Sequence, residues 1–399
     1  MNTENMTIKE RADACFIGTY ARYPAAMVKG AGCILTDSEG RNYLDFLSGI
    51  AVCGLGHCHP KVTKAIQLQA DELVHVSNLY YTEPMTRLAE ILIENSFAEK
   101  IFMGNSGAEA NEAAIKLSRI HADEGKYEII SLMNSFHGRT MATVAATGQP
   151  KFHKGFEPIP QGFLHAPFGD LQALEKMVSD RSCAILCEPL QGEGGVKPLP
   201  QEYLQGIRDL CDRNGLLLIF DEIQTGLGRT GTLFAYEQFG IVPDIMTLAK
   251  ALANGLPIGV MLTTNEIAAS FGPGTHGSTF GGNPVASAAA VATLDVMLED
   301  GFLGNVRSQG KYFTGELQKL AERYPDMLSG VRGLGLILGA VLTEKGIAVG
   351  ADIVNRMFEK GFLMNFAGNL VLRFVPPLIV TREEIDSLIS ALNEVLAEY

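Results

Sequence analysis

The sequence predicts an α/β protein, with a large domain on a mostly parallel sheet covered by helices and a smaller α+β domain after it. Three observations carry this. Between about residues 60 and 300, short apolar runs alternate with amphipathic ones, the pattern of strands joined by helices. The runs are continuously apolar, as in Leu216-Leu217-Leu218-Ile219-Phe220, which means both faces of the sheet are covered and favours parallel pairing. After Asp300-Gly301 the pattern gives way to one long amphipathic helix and sparser strands.

Taken in order, residues 1–40 read as an irregular arm with short strands. Gly30, Gly32 and Gly40 punctuate it, and Asp37-Ser38-Glu39-Gly40 signals a turn. Strands are expected at 100–103, 128–133, 184–190, 216–221, 245–249 and 258–263, and helices at 60–72, 84–95, 107–124, 201–214 and 283–299. The second domain is expected to hold helices at 304–324 and 381–398 and strands at 335–342 and 370–375. No repeat or low-complexity segment is present.

The totals narrow the function. The chain has 399 residues, 47% hydrophobic and 19% charged, enough for a large core and more than one domain. A net charge of −13 repels nucleic acid and anionic membrane and leaves a small molecule as the expected ligand. The seven cysteines have no repeated spacing and read as reduced, mostly buried thiols of a cytosolic protein. The polar start, Met1 to Glu10, is unlike a signal peptide, and no apolar run approaches the ~20 residues of a membrane span.

Lys250 is the most informative residue. It follows the apolar run Ile245-Met246-Thr247-Leu248-Ala249, where an unpaired ammonium is costly. A desolvated lysine loses its proton more readily and can attack a carbonyl to form a Schiff base. Asp221 ends the apolar strand upstream, beside Glu222. A lysine for an aldehyde and an aspartate for a ring nitrogen together suggest pyridoxal 5'-phosphate.

Other stretches admit two readings. Asn105-Ser106-Gly107-Ala108-Glu109 opens a helix with Ala110, Ala113, Ala114 and Leu117 on one face. It is either a phosphate cradle or an ordinary start capped by Ser106, with Glu109 as its box partner. Phe136-His137-Gly138-Arg139 offers an aromatic for a flat ring and an arginine for a carboxylate; equally, His137 and Arg139 are surface residues. Glu188 and Glu193 follow an apolar strand, as an acid/base pair or as a loop with one structural glutamate. Asp221-Glu222 also resembles a magnesium-holding pair of a nucleotide hydrolase, but the phosphate loop GxxxxGK[ST] that reading needs is absent. Gly333-Leu334-Gly335 fits a tight turn better than a dinucleotide loop. His57-Cys58-His59 lacks a partner cluster for a metal and fits a turn before a helix at Pro60. Gly277-Ser278-Thr279-Phe280-Gly281 is a second phosphate contact or a flexible hinge.

As a set these residues resemble the class III aminotransferases, of the type I pyridoxal-phosphate transferase fold. The resemblance rests on Tyr20-Ala21-Arg22-Tyr23-Pro24, Gly56-His57-Cys58-His59-Pro60, Ser106 to Glu112, Phe136-His137-Gly138-Arg139, Asp221 to Gly226, Lys250 and His276-Gly277-Ser278-Thr279. The start at Tyr20 and His137 favour the branch that uses N-acetylornithine over the ornithine branch, which tends to carry Trp at position 137. The resemblance implies a seven-stranded sheet and three parts: an arm (1–50) shared with the small domain and a dimer interface, a large cofactor domain (51–300), and a small domain (301–399). It implies that Lys250 carries the cofactor, Asp221 pairs with its ring nitrogen, Gln224 meets its phenolic oxygen, Phe136 stacks on it, and Gly107 and Ala108 bind its phosphate. Thr279 is implied to reach the phosphate of a partner subunit in a homodimer. Arg139 and Ser278 are implied to hold the acyl end of the donor, with Tyr20 also on the substrate side. Arg373 is implied to bind the carboxylate of 2-oxoglutarate, with Glu193 neutralising it when the donor is bound. A related ω-aminotransferase using ornithine, succinylornithine or a succinylated diamine acid shares every one of these features. A non-catalytic ligand-binding protein on the same fold would not need Lys250 and Asp221.

Overall fold

The computed structural model describes residues 7–399. Its centre is a seven-stranded sheet in the order Lys100–Gly104, Gly259–Thr263, Ile245–Leu248, Leu217–Asp221, Ser182–Cys187, Glu128–Leu132, Phe163–Ala166. Every pairing is parallel except those of Gly259–Thr263, which runs antiparallel to both neighbours. The connection over residues 249–258 is shorter than the dozen or so residues a parallel crossover needs. The chain therefore turns straight back, and Lys250 sits in that turn.

Alternate residues of the strands face opposite sides. Ala184, Leu186 and Ile219 pack with Ala113, Ala114 and Leu117 of the helix Gly107–His121. Ile185, Cys187, Leu218 and Phe220 pack with Tyr203, Leu204 and Ile207 of the helix Gln201–Asn214. A sheet covered in this way buries continuous apolar strands.

The seventh strand, Phe163–Ala166, falls outside the sequence expectation. It is four residues long, lies at the sheet edge and is only partly buried, so it lacks a core strand's apolar run. The expected strand 184–190 ends at Cys187; Leu190–Gln191 pairs instead with Lys197–Pro198.

Beyond Gly301 lie the helices Phe302–Arg323, Glu344–Glu359 and Arg382–Leu396. They cover an antiparallel sheet ordered Leu328–Leu334, Ile337–Leu342, Val371–Phe374, Asn365–Ala367. The sequence suggests one strand at 335–342; two are present, joined by a tight turn at Gly335. The helix Glu344–Glu359 was also not expected, because Gly346 and Gly350 depress its helical propensity. Both glycines serve close approach: a Cβ at Gly346 would stand 2.3 Å from the Met327 carbonyl oxygen, and one at Gly350 would stand 3.0 Å from Phe366.

The N-terminal strands Met27–Ala31, Ile34–Asp37 and Asn42–Asp45 form a sheet completed by Phe362–Leu363. Asp37 to Gly40 makes the expected turn, with the Gly40 N–H on the Asp37 carbonyl at 3.0 Å. The helix Ile8–Cys15 buries none of its residues, so it left no apolar period to find.

Phe313 locks these parts together. It is fully buried, edge-on to Phe46 at 5.6 Å and to Phe374 at 5.2 Å. Phe313→Ala is expected to destabilise the protein by about 3–5 kcal/mol, read as a lowered urea midpoint.

Candidate active site

The carboxyl ends of the central strands converge on a cavity of about 410 Å³, the usual ligand position in a parallel sheet. Lys250 lies two residues beyond the strand Ile245–Leu248 and lines this cavity. Its φ is +42°, a left-handed conformation that costs a lysine energy and is retained where surrounding structure imposes it. Asn254 closes the turn, also left-handed at +45°, and its side chain bonds the Leu55 N–H and the Gly56 carbonyl at 2.8 and 3.0 Å. Desolvation lowers the Lys250 pKa below the ordinary amine value; Glu193 opposes this and Arg373 adds to it.

Asp221 ends the strand Leu217–Asp221 and is buried. Its Oδ2 accepts from Asn111 Nδ2 and lies against His137 Nδ1, both at 2.8 Å, while Oδ1 takes only the Ile223 N–H at 3.1 Å. Thr247, opposite Asp221 in register, donates to Asn111 Oδ1 at 2.7 Å. His137 is therefore not a surface residue: it is buried beneath the site and oriented by Asp221. Asn111 and Thr247 escaped the sequence reading. Their signal was a polar residue on an apolar helix face and another inside an apolar strand, both of which need partners once buried.

The neighbouring acid does something else. Glu222 accepts from the Ala235 and Tyr236 N–H groups at 2.5 and 2.8 Å and pins that turn. Burial raises it to about 7 against those bonds. Asp221 and Glu222 thus point to different tasks. Among the described residues no group of three or more His, Cys, Asp or Glu is arranged to hold a metal ion.

Phe136 lines the cavity, and its N–H donates to Glu188 Oε2 at 3.1 Å. Burial first, then the Asp221 charge, raises Glu188 well above the ordinary carboxyl range. Gly107 and Ala108 form the first turn of their helix on the cavity wall, where backbone N–H groups have no intrahelical acceptor. Ser106 caps that helix through the Glu109 N–H at 3.2 Å, but Glu109 reaches back to Asn105, not to Ser106. The capping box is thus displaced by one residue.

Gln224, Glu193 and Arg373 form one group. Arg373 is 0% exposed. Its Nη1 pairs with Glu193 Oε1 at 2.5 Å and approaches Gln224 Oε1 at 3.4 Å, and its Nε donates to Asn365 at 3.0 Å. Burial pushes the Glu193 pKa up, but Arg373 and Lys250 outweigh it and hold Glu193 below the ordinary carboxylate value.

Arg139 stands at the cavity mouth, exposed, with its guanidinium 4.2 Å from the Phe152 ring and 5.5 Å from Phe136. Ser278, Thr279 and Tyr20 are not brought to this cavity. Ser278 lines a separate one, touching the first through Asn105 Nδ2 at 3.1 Å. Thr279 is exposed, and Tyr20 is 73% exposed on the arm.

The sequence profile of aminotransferase class III matches residues 18–396. The chain belongs to the class III aminotransferases. A relative in Methanocaldococcus jannaschii, an acetylornithine aminotransferase, is 50% identical over 95% of each chain. Among solved structures, an ornithine aminotransferase from Toxoplasma gondii is 30% identical with a TM-score of 0.93, covering 99% of this chain and 96% of its own. An N-acetylornithine aminotransferase from Stenotrophomonas maltophilia is 39% identical with a TM-score of 0.83, over 95% and 97%. This aminotransferase uses pyridoxal phosphate.

The aminotransferase keeps Gln224 in place partly through Gly192, where an added Cβ would stand 1.8 Å from Gln224 Oε1. Gly192→Ala is expected to lower kcat/KM by about 10²-fold by displacing that amide, with the calorimetric unfolding temperature unchanged.

Proposed function

We propose that this aminotransferase moves the δ-amino group of N2-acetyl-L-ornithine to 2-oxoglutarate, giving N-acetyl-L-glutamate 5-semialdehyde and L-glutamate, a step of arginine biosynthesis. The observation that carries the reading is the Arg373–Glu193 pair beside Lys250. 2-Oxoglutarate has a carboxylate next to its reacting carbon, and the δ-amine has none. One site must therefore present a cation to the first and hide it from the second. The name of the Methanocaldococcus relative supports the donor.

The residues present fit pyridoxal phosphate. Asp221 Oδ1 retains acceptor capacity towards the cavity, because Oδ2 takes Asn111 and His137. A carboxylate there would keep a ring nitrogen protonated. Gly107 and Ala108 would hold the phosphate at the helix start, Phe136 would stack on the ring, and Gln224 would meet its phenolic oxygen. When bound, the cofactor supplies an aldehyde for the amine and a ring that withdraws electrons from the reacting carbon.

The protein's own contribution is positioning and proton movement. The Lys250 amine would hold the cofactor. When free, its Nζ would take a proton from the donor carbon and hand it back, as base and then acid. Desolvation keeps that amine ready to lose its proton. Glu193, whose side chain is partly exposed, uncovers Arg373 when the keto acid's carboxylate binds it and covers it again afterwards, so that the buried guanidinium is never left unpaired. Arg139 and Ser278 hold the acyl end of the donor, Ser278 standing next to the cavity through Asn105, with Tyr20 on the substrate side and Thr279 reaching the phosphate of a second subunit. A homodimer with shared sites is part of the proposal. It is supported by the exposed Leu79, Tyr80, Tyr81 and Phe280, on two segments joined by Asn78 Nδ2, which donates to the Ser278 and Gly281 carbonyls at 2.9 Å. A cytoplasmic setting is supported by seven free cysteines.

The deciding experiment titrates the holoenzyme with single amino donors and follows its yellow absorbance. N-acetylornithine is expected to bleach it far better than ornithine. Faster bleaching by ornithine or succinylornithine would overturn the donor and leave the family standing. Lys250→Ala is expected to retain dialysable cofactor and lose turnover by about 10⁴-fold; a normally active variant would sink the role given to Lys250. Glu193→Ala leaves Arg373 bare, so its rate with glutamate relative to N-acetylornithine is expected to rise about tenfold, with cofactor affinity unchanged.

A further inference from the structure

Two arginines are buried to within 1% exposure, Arg373 and Arg229. Arg373 has Glu193 as its counter-charge. Arg229, in the turn after Asp221, pairs with no carboxylate among the described residues. Its Nη1 donates to the carbonyls of Leu336, at 3.0 Å, and Pro376, and its Nη2 has no partner. Burial brings the guanidinium down to about 9, which leaves it charged at neutral pH. The Asp45 charge opposes part of that burial, but among the described residues the guanidinium's hydrogen bonds go to carbonyls; a buried cation is costly, so what those carbonyls belong to bears on why it is there.

They belong to two paired strands of the small domain. Leu336 opens Ile337–Leu342, and Pro376 lies just beyond Val371–Phe374. The two strands run antiparallel with Gly339 opposite Arg373. One guanidinium therefore holds both at the end facing the large domain. The backbone repeats the contact: the Leu336 N–H donates to the Arg229 carbonyl at 2.9 Å. Gly335, at φ +55°, lies so close that a Cβ there would stand 2.5 Å from the Thr230 carbonyl carbon and 2.7 Å from the Arg229 oxygen. The segment after Arg373 is stitched on its other side too, by Ser48 Oγ to the Val375 carbonyl at 2.6 Å and the Val375 N–H to Phe46 at 2.8 Å. Across the junction, Gln224, Glu193 and Lys250 belong to the large domain, and Arg373 meets Gln224 at 3.4 Å, the outer limit of a hydrogen bond. A small shift of the strand pair would break that contact.

We propose that Arg229 is a positioning residue for keto-acid recognition. By holding the Leu336 and Pro376 carbonyls it sets the strand pair that carries Arg373 against Glu193 and Gln224. This rests on the reading of Arg373 as the ligand of the 2-oxoglutarate carboxylate. Arg229 touches no substrate. Its effect is confined to the half-reaction that uses Arg373, and the amine half-reaction, in which Arg373 is covered by Glu193, is spared.

The test uses holoenzyme and glutarate, a dicarboxylate that cannot react. Arg229→Lys keeps the charge but cannot reach both carbonyls with a planar fork. Its calorimetric Kd for glutarate and its KM for 2-oxoglutarate are expected to rise about tenfold or more, while bleaching by N-acetylornithine changes less than about twofold. Glutarate affinity equal to wild type, or equal losses in both half-reactions, would overturn the proposal. Gly335→Ala disturbs the same contact from the other side and is expected to show the same selective loss. If Arg229→Lys does not fold, the glutarate affinity of Gly335→Ala decides in the same way. Arg373→Ala separates the two readings. Undiminished glutarate binding there removes the role of Arg373 and this inference with it; weakened binding there, with Arg229→Lys unaffected, removes this inference alone.

Discussion

Charge that has left water must have a partner, and the cavity is organised by that constraint. Lys250, Glu193 and Arg373 lie within one network, with Arg373 fully buried. Asp221 and Glu188 crowd the same volume, and burial first, then the Asp221 charge, raises the Glu188 pKa. Each charge is balanced by a neighbour or by hydrogen bonds, and no neighbour is fixed to one task. The proposed roles of Glu193, covering and uncovering Arg373, and of Lys250, carrying a proton, would each proceed without a charge being stranded in a low-dielectric site.

The backbone bears strain to keep this arrangement. Besides Lys250, the residues Ser48, Gly49, Ile50 and Ala51 form one left-handed turn, at φ of +47°, +65°, +67° and +62°. Such a turn costs each L-residue roughly 1–2 kcal/mol. Asp45 offsets this by accepting the Leu47 and Ser48 N–H groups at 2.8 Å, and Ser48 is tied to Val375. The turn ends at Val52, on the cavity wall.

Much of the fold was legible because its apolar periods are strong. The helices at 60–72 and 201–214 fall where the sequence puts them, with Val62 buried in one and Leu204, Ile207 and Cys211 in the other. Among the elements that were not legible, some are short, as the helices Met141–Ala146 and Leu171–Met177 are, and others have diluted periods: the partly exposed edge strand at Phe163, the helix with Gly346 and Gly350, and the solvent-facing helix at Ile8. Lys250 and Asp221 could be read because each interrupts an apolar run with a charge. His137, Asn111 and Thr247 could not, since their partners are set by sheet register and helix packing. Nothing in the residues around Arg229 marks it as buried; only the packing of Leu336 and Pro376 over its loop shows it.

The order of strands in the central sheet has a consequence for how the protein is made. Lys100–Gly104 is the first of the seven in sequence, yet its one partner is Gly259–Thr263, the last. During synthesis at about 5–20 residues per second, that strand and the helix start at Gly107 wait for the rest of the domain to emerge. Long-range closure of this kind is slow and leaves an edge unpaired meanwhile. The strand Ile245–Leu248 must also be in place before the chain can turn back at Lys250. The cofactor cavity is therefore among the last features to form.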